Sequence, residues 1–163
     1  MNRTRVNYIL VLAVSFLFIA SGAVLAEKGS FSAWAGFSAK VLNTFQMGEG
    51  ELYMPVEFQG TIRDDKGNGM WHNAYMYGVG VFEVRQGKLK GSGWGITVDG
   101  QGNKIAGKFS CTGDAPNCSG VHLFDEKGTG KFANMVIEWK FSNTGIPGTP
   151  GSYSTAKASF KTR

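Results

Sequence analysis

The residues best suited to chemistry lie in MWHNAYMYGVGVFEV, positions 70–84, which holds His72, one of two histidines, close to Met70 and Met76. Thioether and imidazole are the ligands a soft ion such as Cu(I) prefers. On an extended strand, residues two apart share a face at a spacing of about 7 Å, so Met70 and His72 can converge on one ion. Met76 then needs a bend near Gly78, or help from Met47 or Met54. The same residues admit a second reading, a small-molecule pocket with mostly apolar walls and a few polar handles. Phe58, Met76, Phe82, Trp94 and Trp139 are its candidate walls, His72, Asn73 and Tyr75 its handles, and Gly91, Gly93 and Gly95 leave room. A third reading needs no site at all: methionine fills core gaps, His72 is hydrogen-bonded at a barrel mouth, and the interior is packed solid.

Other chemistries find less support. No G-x-S-x-G elbow occurs, and neither His72 nor His122 has an acid at a recognisable spacing to orient it. Glu49, Glu51, Glu57, Glu83 and Glu138 fall mostly on the polar phase of their segments, where solvation accounts for them better than glycosidic catalysis. GQGN (100–103) lacks the Lys-Ser or Lys-Thr of a phosphate loop, and DDKGNG (64–69) lacks the ligand ladder of a calcium loop. No catalytic residue and no cofactor is assigned, and the reading leans away from an enzyme.

The elements that must position these residues begin after an N-terminal leader. MNRTR is basic, VNYILVLAVSFLFIASG is uncharged and apolar, and AVLA places Val24 and Ala26 where a signal peptidase reads small residues. This predicts a signal peptide over 1–26, with an uncleaved anchor as the alternative, and hence a secreted or periplasmic protein. Residues 27–163 then form one domain of ordinary size. Loss of Arg3 and Arg5 lowers the formal charge from +5 to +3. Lys and Arg are dispersed among acids, and no basic cluster interleaves with stacking aromatics, so nucleic acid is not an expected partner. A small apolar ligand and a second copy of the chain remain as expected partners, with no membrane span after cleavage.

Cys111 and Cys118 flank the turn-forming CTGDAPNC segment. In an exported chain this predicts a disulfide; paired metal thiolates would need C-x-x-C spacing and further ligands.

Apolar and polar residues alternate in 54–63, 70–84, 88–98 and 131–141, separated by Gly-, Asp- and Asn-containing turns at 64–69, 85–88, 100–103 and 125–130. Residues 31–45 have mixed periodicity and read as a strand bent near Gly36 or as a short helix. Gly78 and Gly80 mark a bend in the central run. Seven to nine strands result, with no 3.6-residue apolar stripe after the leader. The expected fold is all-β, an antiparallel closed barrel of about eight strands, with a two-sheet sandwich as the alternative.

GTGKF (128–132), VDGQGNKIAGKF (98–109) and GNGMWHNAYMYGVG (67–80) resemble segments of the small secreted barrels of the allene oxide cyclase and dirigent type. The resemblance implies an eight-stranded antiparallel barrel whose hydrophobic interior accepts a small apolar ligand. It departs from that pattern where NMVIEWKF follows GTGKF in place of a glycine-rich stretch. No cyclase activity carries over, because the acidic and polar residues such chemistry needs have no one-to-one counterparts, and fold alone does not transfer function.

Overall fold

The computed structural model describes residues 28–163, and the leader expected over 1–26 lies outside the described residues. Nine strands follow one another: β1 Lys28–Val41, β2 Phe45–Gly48, β3 Glu51–Asp64, β4 Ala74–Arg85, β5 Lys88–Val98, β6 Lys104–Asp114, β7 Cys118–Phe124, β8 Met135–Gly145 and β9 Gly151–Thr162. One 3₁₀ turn, Gly130–Phe132, precedes β8. The sheet runs β1-β9-β8-β7-β6-β5-β4-β3-β2, and β1 pairs a second time, with β3, over residues 33–41 against 56–64. That extra ladder closes an eight-stranded antiparallel barrel. The expected fold is therefore present, and the sandwich alternative falls, because two stacked sheets have no ladder that returns the last strand to the first. β2 lies outside the cycle. Its Phe45↔Tyr53 pairing continues along β3 the track that β1 leaves at Val41↔Val56, so β1 and β2 act as one interrupted strand.

Alternation decides which side chains enter the barrel. Odd positions of β1, β5, β6 and β8 point inward, as do even positions of β3, β4, β7 and β9. An eight-stranded barrel is just wide enough for side chains to fill it. Here they fill one end. Trp71, Phe124 and Phe132 are fully buried there with Ile62, Ile105 and Ile137. The Trp71 ring sits 4.9 Å, centroid to centroid, from both Phe124 and Trp139.

That end is sealed by two segments whose strand-like sequences fold otherwise. Residues 70–73 form turns, not the start of a strand. The Asp64 carboxylate accepts hydrogen bonds from the backbone N–H groups of Lys66 and Gly69, at 3.1 and 2.9 Å, and Asn73 adopts φ 59°. This winding carries Trp71 inside, where simple alternation would put it on the face opposite His72. Likewise, the strand expected from 131 begins only at Met135, because Gly130–Phe132 turns to bury Phe132. Gly130 has φ +53°, and a Cβ there would collide with the Asn103 side chain, so only glycine fits. Gly78 and Gly80 lie inside an unbroken β4.

The other end is open. The disulfide between Cys111 and Cys118 is present, its Cα atoms 5.6 Å apart, and it ties β6 to β7 beside the mouth. Among the described residues no helix is long and apolar enough to cross a membrane.

Candidate functional site

A cavity of about 100 Å³ opens at the mouth end. Phe58, Phe82 and Phe109, from β3, β4 and β6, form its aromatic side. Phe109 meets Phe58 edge-on with centroids 5.4 Å apart and lies 6.2 Å from Phe82. Met76, His122 and Trp139 line it toward the sealed half of the barrel. On the opposite wall, β8 and β9 contribute Asn143, Ser152 and Ser154, with Asn143 and Ser154 cross-strand partners. Asn143 Oδ1 is buried and has no hydrogen-bond partner. An unpaired buried acceptor is costly, by about 1–3 kcal/mol, unless something supplies a donor. An engineered apolar cavity of roughly 150 Å³ holds benzene, which sets the scale of guest that fits here.

His122 is the titratable group of this cavity. Its Nε2 donates to the Gly107 carbonyl at 3.1 Å, and its ring stacks on Phe124 with centroids 3.8 Å apart. Gly95 makes room for it: a Cβ at 95 would stand 2.5 Å from His122 Cε1. Burial pushes the imidazole pKa down to about 4, against the upward pull of the Gly107 and Gly95 carbonyls. The ring is therefore neutral at physiological pH and acts as wall and hydrogen-bond donor.

Of the side chains expected to line a pocket, Phe58, Met76, Phe82 and Trp139 meet at this cavity. Tyr75 and Trp94 point outward from the barrel and are about 40 % exposed. The reason lies in the pleat. Trp94 alternates with Gly91, Gly93 and Gly95, and once those glycines face inward, Trp94 faces water. Asn73 is exposed in the turn before β4. His72 stands at the sealed end with Nδ1 3.4 Å from Asp64 Oδ2. Met70 packs on the core there, and its carbonyl accepts a hydrogen bond from Lys131. A soft-ion site on one strand face needs an extended chain from 70 to 76, and residues 70–73 turn instead, so Met70, His72 and Met76 share no strand face. No group of three or more His, Cys, Asp or Glu side chains is placed to hold a metal among the described residues.

Phe109, His122, Asn143, Ser152 and Ser154 also line the cavity and were not among the residues expected there. The signal for two of them was present. Extending the 135–141 alternation by one step puts Asn143 inside, and in CSGVHLF the phase of Cys118 and Phe124 carries His122 with it. No family model matches this chain, and no curated protein matches it.

Proposed function

We propose that this barrel is an exported, non-catalytic protein that takes a small apolar or aromatic molecule, about one ring in size, into its open mouth. One observation carries the reading: a cavity lined by Phe37, Phe58, Phe82, Phe109 and Phe141 into whose apolar wall an unpartnered buried Asn143 oxygen is set. Concave apolar sites with a few convergent polar groups are the usual form of small-molecule sites. The disulfide suits an oxidising compartment, consistent with the leader expected from the sequence. The likeness to allene oxide cyclase and dirigent barrels belongs to the same proposal, since it implies a hydrophobic interior open to a guest.

The test is titration calorimetry with indole and toluene. Binding of at least one is expected, with Ala39→Phe, which projects a ring from β1 into the cavity that Ala39 lines, reducing it tenfold or more. Unchanged affinity in Ala39→Phe, or no binding of either compound by the parent, would remove the proposal in favour of a barrel acting only through its surface.

A further inference from the structure

The outside of the barrel carries a second, larger concavity of about 540 Å³, spread over β1, β3, β4, β5 and β6. Two rows of cross-strand neighbours cross it. One passes through Ser38, Gln59, Tyr77 and Ile96, the other through Lys40, Glu57, Val79 and Trp94. Both rows are polar on β1 and β3 and become apolar on β4 and β5. Tyr77 and Trp94 each leave 40 % of their surface in water, and Val79 leaves 55 %. Exposed apolar surface grouped in a depression and rimmed by polar residues marks an interaction site more often than scattered exposure does.

The polar side is held ready. Tyr75 Oη donates to Gln59 Oε1, and Lys108 Nζ lies 5.4 Å from the centroid of the Trp94 ring, so neighbours hold side chains on both sides of the cleft before any ligand arrives. Lys40 and Glu57 stand opposite each other in register yet form no ion pair among the described residues, so both retain their hydrogen-bonding capacity.

A matching occupant must offer flat C–H faces to two rings and hydroxyls to a lysine, a glutamate, an amide and a serine. Pyranose sugars do both, with C–H groups on the ring faces and hydroxyls around the rim. We infer that this cleft binds an oligosaccharide of uncharged pyranose units, stacked on Tyr77 and Trp94 and hydrogen-bonded by Lys40, Glu57 and Gln59. Two cations, Lys40 and Lys108, against one anion, Glu57, leave too little net charge around the cleft to hold a polyanion, and they suit a neutral polyhydroxyl ligand better. An added peptide strand has nowhere to pair, because both edges of β3, β4 and β5 are already hydrogen-bonded within the cylinder. A second copy fits poorly, since the buried centres of protein interfaces are depleted in charge and Lys40 and Glu57 line this depression. The volume lies within the range of small-ligand sites, about 300–1,000 Å³.

The experiment titrates the oxidised protein with maltohexaose, cellohexaose and chitohexaose, followed by calorimetry and tryptophan emission. Binding of at least one is expected. Trp94→Ala and Tyr77→Ala should each weaken it tenfold or more, Glu57→Gln severalfold, and Trp94→Phe less than Trp94→Ala. Trp34→Ala, another exposed indole outside the cleft, should leave it unchanged. Far-UV circular dichroism checks that each variant keeps the fold. Absence of binding to all three sugars at millimolar concentration overturns the inference, as does binding that survives Trp94→Ala. A dimer in sedimentation that Trp94→Ala dissociates overturns it too, since a second copy then covers the face. None of these outcomes depends on the interior cavity.

Discussion

A proton added to His122 would place a charge between Phe109 and Phe124, against the backbone of Gly95, in a site only 3 % exposed. The folded protein resists that proton and the unfolded chain accepts it, so between pH 6.5 and about 4 the unfolded state binds more protons than the native one. The stabilising effect of the neutral ring is therefore complete above pH 6.5, declines as pH falls through that window, and levels off below the folded pKa. The size is on the order of 3 kcal/mol, from the conversion of pKa difference to free energy. Urea melts of the parent and His122→Phe should show it: across this window the parent loses more stability than the variant by roughly that amount. Parallel pH profiles would mean that the imidazole is not sheltered as its surroundings indicate. Gly95 belongs to the same argument. It reads in the sequence as one of three flattening glycines, but which ring it admits depends on a strand two places away in the sheet, and no local pattern carries that information.

At the scale of elements, the sealed end depends on one lysine. Lys131, at the 3₁₀ turn, places Nζ 2.9 Å from Asp99 Oδ2 and 2.9 Å from the Met70 carbonyl, joining the β5–β6 turn to the segment that inserts Trp71. Burial alone would raise the Asp99 pKa, but hydrogen bonds from Asn103, Lys131 and Gln101 outweigh it and hold the carboxyl down to about 2. Lys131→Met should raise that pKa, read by carboxyl-carbon NMR, and lower stability by about 1 kcal/mol, because the half-exposed ammonium is screened by water below the full worth of a charge-assisted hydrogen bond. An unmoved Asp99 titration would show that the lysine does not fasten these turns. The strands around this seal were legible because alternation is local: Met135, Ile137, Trp139 and Phe141 enter the barrel as their spacing requires. The seal itself was not. MWHN and KFAN alternate like strands, and what turns them lies outside their own alternation, the local Asp64 carboxylate turn through Lys66 and Gly69 in one case and the sequence-distant Asn103–Gly130 contact in the other. His72 stands away from the mouth cavity for that reason, whereas Phe58, Met76, Phe82 and Trp139 belong to regular strands and line it together.

Across the whole molecule, closure joins distant parts of the chain. β1 pairs with β9 over eleven positions, from Lys28↔Lys161 to Ser38↔Gly151, and with β3 on its other side. Removing residues 151–163 would deprive β1 and β8 of a neighbour at once and expose two long edges, so the truncated chain should show no cooperative thermal transition by circular dichroism. A truncated form that still melts cooperatively would show that the cylinder does not depend on its closing strand. The two ends of that cylinder are unequal, and this governs traffic. With Trp71 and Phe132 stoppering one side, a guest of the kind proposed above would have to leave by the doorway it entered, past the β6–β7 hairpin and the 146–150 loop. The Cys111–Cys118 bond pins one jamb of that doorway, so reduction would quicken exchange there and leave the stopper undisturbed.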